Sequence, residues 1–361
     1  MRILIVAPSL GLGGAECVAA RMANHWAARG RDVAVALFEG EDAPRHYPLT
    51  PSITLDCLDI YDTPPSLAGR LAALVRRHLR IRRCLRRHAP DVVVCITDSA
   101  NIRVLLAARG LGLPVVCTEH TDPTVHDIGP RWRLLRRLTY RRCNTLVVLS
   151  DTARDYCAAF MDPERIRVFP NPMDFPAPPH PEARQPVVIY VGRLVEEKGV
   201  DALVRAFARS APEDWRLRLV GDGPLRSAVE ALADELGVAG RVECTGRVAD
   251  PYPLLAQAGV FVLPSRYEGL PNALVEAMGM GLACIATATS GARQVLRHED
   301  NGLLVPVGDE SALADALARL TTDADLRRRL GDSALNIRHH AGTDSVMARW
   351  DTLLESLEPG R

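Results

Sequence analysis

The 361-residue chain is poor in lysine, in aromatic residues and in long apolar runs. Its 44 basic residues include a single lysine, Lys198, and aromatic residues make up only 5% of the chain. No apolar run approaches the ~18 residues of a membrane-spanning helix, so no transmembrane segment is predicted. Hydrophobic residues at 47% and charged residues at 24% exclude long disordered or collagen-like segments. This composition indicates a globular protein of about two domains.

The nine cysteines are scattered, and they include neither a Cys-x-x-Cys pair nor a His/Cys cluster with zinc spacing. An odd, unpatterned set is typical of reduced thiols, which predicts a cytoplasmic protein without disulfides. The only Asp-x-Asp motif, Asp323–Asp325, lies in a charged helical stretch with no Gly-rich loop beside it. The sequence therefore predicts no metal site.

Short β-branched runs alternate with helical patterns along the whole chain, as expected for βαβ units around parallel sheets. The runs are apolar on both faces, which is typical of buried parallel strands. Twelve strands are predicted: 3–7, 33–37, 91–94, 115–118, 145–149, 167–169, 187–190, 216–220, 242–245, 260–263, 283–286 and 303–305.

A proline-rich segment, 176–186, interrupts this alternation and is predicted to be an interdomain linker, because its five prolines fix φ and remove backbone donors. It separates an N-terminal domain, 1–175, from a C-terminal domain, 187–345, and a last helix, 346–361, is expected to return to the first domain. The predicted fold class is α/β, with two doubly wound, Rossmann-like parallel sheets facing a cleft. Ligands are expected at the carboxyl ends of the strands.

The first strand leads into Gly11–Glu16 and then a helix, an arrangement that lets the backbone approach an anion at a helix N-terminus. Glu39 closes the next strand about where a dinucleotide-binding fold has its ribose-binding acid, so an NAD-dependent dehydrogenase is one interpretation of this segment. Against it, Glu16 stands where the dinucleotide fingerprint has glycine. A tight turn without a ligand is the other interpretation.

The second domain opens with a strand and a loop that carries Arg193 and the lone Lys198, five positions apart. A planar guanidinium and a compact ammonium together suit a diphosphate. Two solvated surface cations are the simpler interpretation, but a lysine placed at random among 44 basic positions would fall at this one only about once in 44. The turn Gly221–Pro224, after the next strand, is predicted to shape the cleft wall.

The segment Phe261–Gly279 runs from a strand through a loop into a helix that is expected to start near Pro271. Glu268 precedes this helix, beside backbone amides that lack helical partners and can hold a sugar or phosphate oxygen. Glu276 lies inside the helix on a face of alanine and methionine, where a carboxylate suits the two hydroxyls of a ribose. Both residues also have an interpretation without a ligand. Glu268 would then interact with the dipole of the helix, and Glu276 would be a solvated side chain.

Together these motifs resemble the retaining, nucleotide-sugar-dependent glycosyltransferases of family four, which have the GT-B fold. The resemblance covers essentially the whole chain, in order, although Gln294 stands where relatives often carry glutamate. The Glu119-His120 pair is similar to that of bacterial enzymes that build lipid-linked oligosaccharides and surface polysaccharides. The matching motifs are Gly13-Gly14-Ala15-Glu16, Glu119-His120, Asn171-Pro172-Met173-Asp174, Arg193 with Lys198, Gly221-Asp222-Gly223-Pro224, Glu268 with Glu276, and Asn301-Gly302-Leu303-Leu304-Val305.

The resemblance implies a role for each matching residue. Arg193 and Lys198 would hold the donor diphosphate and stabilise charge on the leaving nucleotide, and His120 would lie near the sugar and the acceptor. The residues implied in catalysis are His120, Glu268, Arg193 and Lys198. Those implied in donor binding are Gly13, Gly14, Arg193, Lys198, Gly269, Leu270, Asn272 and Glu276. The resemblance implies no cofactor and no metal, because cationic side chains take the place of a divalent ion.

Residues 70–88 contain eight arginines, two histidines and no acid, and a second basic segment follows at 131–142. At 100° per residue, four arginines of the first segment form a stripe, and four apolar residues gather opposite, where they are expected to dock on the domain. The stripe is Arg76, Arg80, Arg83 and Arg87, and the apolar set is Leu71, Leu74, Ile81 and Leu85. The stripe is a candidate contact for anionic lipid or an acceptor pyrophosphate, with a solvated basic face as the alternative. Nucleic acid is not predicted as a partner, because stacking aromatics are sparse.

The sequence as a whole predicts a cytoplasmic glycosyltransferase that is peripheral at the inner face of the cell membrane. It would transfer a hexose-type unit from a nucleoside-diphosphate sugar, UDP-linked, to a hydroxyl of a lipid-linked or growing glycan, with retention of anomeric configuration. Two alternatives stay open within the same fold: an epimerase or phosphorylase, and a non-catalytic nucleotide-sugar-binding protein. The dehydrogenase is a remote third, because it leaves Arg193, Lys198, Glu268 and Glu276 unexplained.

Overall fold

A computed structural model describes residues 1–11, 13–62, 64–179 and 184–357. Some residues of the predicted segments lie outside the described ones: Leu12 of the first loop, Pro181 of the linker and 358–361 of the last helix. All nine cysteines lie within the described residues, and all are free thiols.

The chain divides into two compact units. The first contains Met1–Pro172 and the chain from Asp344 onward, and the second contains Met173–Thr343. Each unit is built on one parallel sheet with helices between its strands, which confirms the predicted two-domain, Rossmann-like α/β fold class.

The first unit has a seven-stranded sheet. Its strands are β1 (Arg2–Ala7), β2 (Asp32–Leu37), β3 (Thr54–Cys57), β4 (Val92–Ile96), β5 (Val115–Glu119), β6 (Thr145–Val148) and β7 (Ile166–Val168). Its first five helices are α1 (Gly14–Ala28), α2 (Leu67–His88), α3 (Asp98–Ala107), α4 (Pro130–Thr139) and α5 (Asp151–Ala158). The strand order is β3-β2-β1-β4-β5-β6-β7, so the topological switch point lies between β1 and β4.

The second unit has a six-stranded sheet. Its strands are β8 (Val187–Val191), β9 (Arg216–Val220), β10 (Val242–Gly246), β11 (Val260–Leu263), β12 (Ala283–Thr287) and β13 (Leu303–Val305). Its helices are α6 (Val200–Ser210), α7 (Arg226–Glu235), α8 (Tyr252–Gln257), α9 (Asn272–Gly279), α10 (Ser290–Val295), α11 (Glu310–Thr322), α12 (Ala324–Ala334) and α13 (Ile337–Ala341). The strand order β10-β9-β8-β11-β12-β13 places the switch point between β8 and β11.

The last helix, α14 (Thr343–Glu355), packs into the core of the first unit. Trp350 is 3% exposed, and its ring meets those of Trp26 and Phe169 edge to face, at centroid distances of 6.2 and 5.6 Å. The indole nitrogen of Trp26 donates to Asp351 Oδ1 at 3.0 Å. The aromatic contacts and this hydrogen bond make α14 an integral part of the first unit's core.

The sequence pattern did not predict β3, which is an edge strand paired with β2. Thr54 is exposed and the other three residues of the strand are only half-buried. An edge strand with so little buried surface needs few apolar residues, so its sequence does not stand out from a loop. The strand matters for the fold because it carries Asp56 to the side of α2.

The described start of the proline-rich segment packs against the second unit. Residues 174–179 form neither helix nor strand, as the prolines predict. Arg338 donates to the carbonyl oxygens of Phe175 and Pro176 at 3.1 and 2.9 Å, and its guanidinium lies 5.3 Å from the Phe175 ring centroid. The boundary between the compact units therefore falls at Pro172, ahead of the predicted linker.

Candidate functional site

Two of the predicted site residues, Lys198 and Glu268, meet in the second unit. Nζ of Lys198 lies 2.5 Å from Oε1 of Glu268, and Ser265 Oγ donates to the same oxygen at 2.7 Å. Both side chains are largely buried, with 21% of Lys198 and 10% of Glu268 exposed. The two residues are 70 positions apart in the chain and meet because β8 and β11 are neighbours, so that their loops leave the sheet at one edge.

Side-chain hydroxyls hold the loop that carries Glu268. Ser290 Oγ donates to the backbone oxygen of Glu268 at 3.1 Å, and Thr287 Oγ1 donates to the backbone oxygen of Ser265. A loop fixed in this way loses less conformational entropy when it closes on a ligand. The sequence reasoning missed Thr287, Ser290 and the Ser265 hydroxyl that donates to Glu268, because isolated serines and threonines carry no spacing signal.

Two glycines let the loops of this site approach each other. Gly199 has φ of +60°, which favours glycine, and a Cβ atom there would collide with the Pro264 carbonyl oxygen. Gly291 lies in α10, where a Cβ atom would collide with the carbonyl oxygen of Gly269. Direct backbone contact therefore joins the Lys198 loop and α10 to the loop that follows β11.

Arg193, the other predicted cation, points toward solvent. Its side chain is 72% exposed, and Nη2 lies 3.5 Å from Glu197 Oε1. The buried Tyr190 hydroxyl donates to the Arg193 carbonyl oxygen at 2.8 Å. Burial, with the negative charge of Glu268 nearby, raises the pKa of Tyr190, so the hydroxyl stays protonated and keeps donating. Tyr190 therefore positions the start of this loop. The sequence did not indicate this role, because Tyr190 lies in an apolar strand.

The other predicted donor-binding residues of this unit lie on α9 and just before it. The helix begins at Asn272, and Pro271 is its N-cap and not its first residue, which corrects the predicted start by one position. Leu270 is 7% exposed, whereas Gly269, Asn272 and Glu276 are half-buried. Backbone amides at the start of a helix have no helical acceptor, so this end of α9 can hold a sugar or phosphate oxygen.

In the first unit, Gly13 and Gly14 lie at the N-terminus of α1. The Glu16 carboxylate folds back over this end of the helix, where a Cβ atom on Gly13 would collide with it. A second acid, Glu39, lies near Glu16. Burial and the Glu16 charge raise the pKa of Glu39. The Glu16 carboxylate over the N-terminus of α1 disfavours a dinucleotide pyrophosphate at this end of the helix, and with it the dehydrogenase interpretation of this loop.

A buried charged cluster surrounds Glu119. Glu119 and Arg136 are each 1% exposed, and Arg136 Nε lies 3.5 Å from Glu119 Oε1 while its Nη2 lies 3.5 Å from Asp98 Oδ2. The Tyr140 hydroxyl donates to the Glu119 carboxylate. Within the described residues, no guanidinium nitrogen of Arg136 has a hydrogen-bond partner, so the two carboxylates balance its charge by ion pairing alone. Burial raises the pKa of Glu119 to about 7, although the Arg136 charge opposes the shift.

His120 follows Glu119 at the carboxyl end of β5. Thr118 Oγ1 lies 2.9 Å from His120 Nε2 and 2.8 Å from the Cys95 carbonyl oxygen. A carbonyl oxygen only accepts, so Thr118 donates to Cys95 and His120 Nε2 carries the proton that it donates to Thr118. Burial lowers the pKa of His120 to about 4, although a hydrogen bond with Asn171 favours the charged form. The ring is therefore neutral near pH 7 and suits hydrogen bonding better than proton donation.

The lowered pKa of His120 predicts how acid affects stability. The folded-state value of about 4 lies below the ordinary 6.5, so the unfolded chain binds more protons between these pH values. The contribution of His120 is a loss of stability as pH falls from 6.5 to 4, opposite in sign to that of Glu119, and His120→Asn should lack this loss. Thermal unfolding of both proteins across this range measures the difference. An identical change of Tm with pH in the parent and in His120→Asn would mean that the ring is charged in the folded protein.

The N-terminal half of α2 does not dock as predicted. Ile81 and Leu85 are buried, whereas Leu71 and Leu74 are 65% and 59% exposed, so the prediction was wrong for these two residues. The reason is that α2 packs on its unit mainly through its last eight residues, which hold three of its four buried residues. Neither α2 nor any other helix in the described ranges combines the length and the apolar composition needed to cross a bilayer.

The predicted arginine stripe is largely engaged within its own unit. Its ion pairs are Arg76–Asp62, Arg80–Asp59 and Arg87–Asp56. Arg80 also donates to the Leu58 carbonyl oxygen at 3.2 Å. Arg83 is exposed. Three of the four arginines therefore tie α2 to β3 and to the loop that follows it.

Asp56 also meets Cys84 and His88, one turn apart on α2, and the ligand atoms of the three side chains lie within 4.8 Å of one another. No sequence pattern indicated this group, because Asp56 comes from the strand that was not predicted. His88 Nε2 and the Arg87 guanidinium both lie against Asp56 Oδ2, the former at 3.2 Å. The group is thus a charge-balanced contact between β3 and α2.

Two family models match the chain. The model described as Glycosyltransferase Family 4 matches residues 12–175, and the model described as Glycosyl transferases group 1 matches residues 185–323. Together they span most of both compact units.

Relatives and solved structures agree with these matches. The GalNAc-α-(1→4)-GalNAc-α-(1→3)-diNAcBac-PP-undecaprenol α-1,4-N-acetyl-D-galactosaminyltransferase of Campylobacter jejuni is 28% identical over 344 residues, which cover 92% of each chain. The GDP-mannose-dependent α-(1-6)-phosphatidylinositol monomannoside mannosyltransferase of Mycobacterium tuberculosis is 31% identical over 77% of each chain. The crystal structure of Anabaena HepE in complex with UDP-glucose superposes with a TM-score of 0.81 at 20% identity, over 99% of this chain and 100% of that one. The superposition shows a common fold.

The matches set the dehydrogenase aside and explain why the polar residues of the second unit cluster at the switch point. Lys198, Glu268 and the start of α9 lie where the loops after β8 and β11 leave the sheet, which is the ligand-binding edge of such folds. The chain belongs to glycosyltransferase family 4, and its two Rossmann-like units have the GT-B fold.

Proposed function

We propose that the protein is a retaining hexosyltransferase that takes a UDP-sugar as donor and a hydroxyl of a lipid-linked or growing glycan as acceptor. The observation that carries the proposal is the Lys198–Glu268 ion pair at the switch point of the second unit. A nucleoside-diphosphate sugar offers a partner to each member: phosphate oxygens for the ammonium and sugar hydroxyls for the carboxylate.

In the proposed reaction, the acceptor oxygen attacks C1 of the sugar on the face from which the nucleoside diphosphate departs. The bond from C1 to the phosphate oxygen breaks, the bond to the acceptor oxygen forms, and the acceptor proton passes to the departing phosphate oxygen. Attack and departure on one face retain the anomeric configuration. Lys198 and Arg193 stabilise the negative charge that develops on the diphosphate, so we expect transfer to continue in the presence of a chelator.

The remaining residues are assigned to parts of the donor. Glu276 binds the ribose hydroxyls, and the backbone amides of Gly269, Leu270 and Asn272 bind the transferred sugar. Gly13 and Gly14 are assigned to donor binding, because free amides at the N-terminus of α1 can hold an oxygen of the donor. His120 is assigned to the sugar and the acceptor, because it follows Glu119 at the carboxyl end of β5, and its ring is neutral near pH 7.

The names of related proteins support the choice of donor and acceptor. A structural neighbour is named with UDP-glucose, and the Campylobacter relative is named for an undecaprenol-linked acceptor. The mycobacterial relative is named for GDP-mannose, which makes a GDP-sugar the second candidate donor. A lipid-linked acceptor would place the enzyme at the cytoplasmic face of the cell membrane as a peripheral protein.

A thermal-shift screen followed by turnover tests the proposal. A bound donor stabilises the folded protein by RT ln(1 + [L]/Kd) and thereby raises its Tm. Purified protein is therefore screened against UDP-, GDP- and dTDP-sugars. The stabilising donor is then incubated with a panel of lipid-linked and water-soluble glycans, and the anomeric configuration of the product is read by NMR. Donor binding without transfer to any acceptor would favour a non-catalytic binding protein, and a changed sugar without an acceptor would favour an epimerase.

The ribose assignment of Glu276 predicts a specific pattern of binding losses. Glu276→Ala should weaken binding of UDP and of the UDP-sugar by the same factor, about tenfold, because the ribose is common to both. Glu235→Ala, an exposed glutamate on α7, is the control and should bind like the parent. Calorimetric titration of each protein with both ligands measures the factors. A loss confined to the UDP-sugar would mean that Glu276 contacts the sugar instead.

A further inference from the structure

We propose that the exposed apolar side of α2 inserts into the surface of an anionic lipid bilayer and holds the first unit there. The apolar face of α2 is defined as Leu67, Leu71, Leu74, Val75 and Leu79. The inference rests on the proposed function in one respect, because a lipid-linked acceptor gives the enzyme a reason to sit at a membrane. It assigns the contact to a face that includes Leu71 and Leu74, which were expected to dock on the domain, and not to the arginine stripe.

The exposure of these residues is the first observation. The five members of the face are 83%, 65%, 59%, 55% and 51% exposed, in chain order. At ~100° per residue they fall within an arc of roughly 140°. They span about 18 Å along the helix axis. Single exposed leucines are ordinary on a protein surface, but a contiguous strip of this length marks a place where something docks.

The charge around the face identifies the partner. The 22 residues of α2 include eight arginines and no acid. Several of these arginines are tied to carboxylates within the unit, but Arg83 and Arg86 are exposed beside the apolar face. A helix with an apolar face and a basic rim is typical of segments that lie in the interface of anionic membranes, with the leucines among the acyl chains and the arginines at the headgroups.

A second helix of the same unit repeats the pattern. Leu134 and Leu138, one turn apart on α4, are 58% and 53% exposed, and α4 also contains no acid in its ten residues. Both α2 and α4 pack against α3, so the two basic helices lie on one side of the sheet. Exposed leucines on both of these helices fit an extended flat surface such as a bilayer.

A second copy of the chain is a poorer occupant. In a two-fold dimer the same patch meets itself, so the arginines around one apolar face would lie against those of the other. Like charges brought together in this way oppose association, whereas anionic headgroups attract them. Charge complementarity therefore favours lipid over self-association.

The test measures vesicle binding by the full chain and three variants. The first variant, Leu71→Gln/Leu74→Gln/Leu79→Gln, removes most of the apolar face while keeping helix propensity. The matched control, Val125→Gln/Val248→Gln/Val307→Gln, removes three exposed apolar side chains that lie elsewhere. The third, Arg83→Gln/Arg86→Gln, removes the exposed basic rim. Vesicles of phosphatidylcholine, alone or mixed with phosphatidylglycerol, are used at low salt and at about 1 M salt, where charges are screened within about 3 Å.

We expect the parent and the valine control to bind phosphatidylglycerol vesicles equally and to keep measurable binding in high salt. The leucine variant should bind at least about 100-fold more weakly at an unchanged Tm, and the arginine variant should lose binding mainly at low salt. Equal binding by the leucine variant and the parent would overturn the proposal. The proposal would also be overturned if the parent sedimented as a dimer and the leucine variant as a monomer while both bound vesicles equally, because the leucines would then mediate self-association.

The outcome is separable from that of the proposed function. Transfer to a water-soluble glycan does not need a membrane, so it is assayed on the same four proteins without vesicles. Normal transfer with unaltered vesicle binding in the leucine variant would defeat this inference alone. Vesicle binding that depends on the leucines, without transfer from any donor, would defeat the proposed function alone.

Discussion

Lys198→Ala is expected to reduce turnover about 100-fold while leaving the protein folded. The lysine is the only one in the chain, and its ammonium lies 2.5 Å from Glu268 in a largely buried pair. Under the proposed function it stabilises charge that appears on the diphosphate as the sugar departs, so its loss raises the barrier more than it weakens binding. Steady-state kinetics with the stabilising donor should show a fall in kcat that exceeds any rise in KM.

The fold should tolerate this change. Glu268 keeps the hydrogen bond from Ser265, so the free energy of unfolding should fall by no more than about 2 kcal/mol. Arg205→Ala removes an exposed cation of the same unit and should leave kcat unchanged. Lys198→Arg should also lose most activity, because a planar guanidinium does not reproduce a compact ammonium in a fixed pocket. Full activity in both Lys198 variants would remove the lysine from the proposed mechanism.

Arg136→Met is expected to lower the free energy of unfolding by about 3–5 kcal/mol near pH 8. The guanidinium is 1% exposed and balances the buried carboxylate of Glu119 at 3.5 Å. Without it, a negative charge would remain in an apolar surrounding with only the Tyr140 hydroxyl as donor. Chemical denaturation of the parent and the variant measures the loss, and Arg137→Met on the exposed side of α4 is the control.

The same variant predicts a pH dependence with a definite sign. The folded-state pKa of Glu119, about 7, already lies above its ordinary 4.5, and removing the opposite charge raises it further. The folded protein then binds more protons than the unfolded chain, so stability is lost as pH rises above 4.5. The cost of Arg136→Met should therefore be smaller at pH 4.5 than near pH 8. Adding Glu119→Gln should recover part of the loss, and no recovery would mean that the arginine acts by packing alone.

The fold was predictable because parallel strands buried on both faces have an unmistakable pattern. β1, β4 and β12 are buried at nearly every position, and their sequences are continuous apolar runs. β3 lacks this pattern because it lies at the sheet edge, half-buried. The periodicity of α2 likewise predicted an apolar side of the helix. It did not predict how much of that side is covered by the rest of the unit, because a helical wheel contains no information about where the sheet ends.

The candidate site was predictable only in part. Lys198 and Glu268 could be singled out one by one, the first as a lone lysine and the second by its motif. Their pairing follows from the adjacency of β8 and β11, which depends on strand order and not on local sequence. The cluster around Glu119 was hidden for a different reason. An arginine such as Arg136, in a segment rich in arginines, is not distinguishable from its exposed neighbours until the packing is known.

The place of α14 in the first unit has a consequence for how the protein is made. A chain emerges from the ribosome with its N-terminus first, and domains generally fold as they appear. The second unit, Met173–Thr343, is continuous in the chain and can close as soon as it is synthesised. Trp26 and Phe169 have to wait for Trp350 before their rings are covered. The half of the protein that is translated first is therefore completed last, and in the interval its exposed aromatic core is a natural substrate for chaperones.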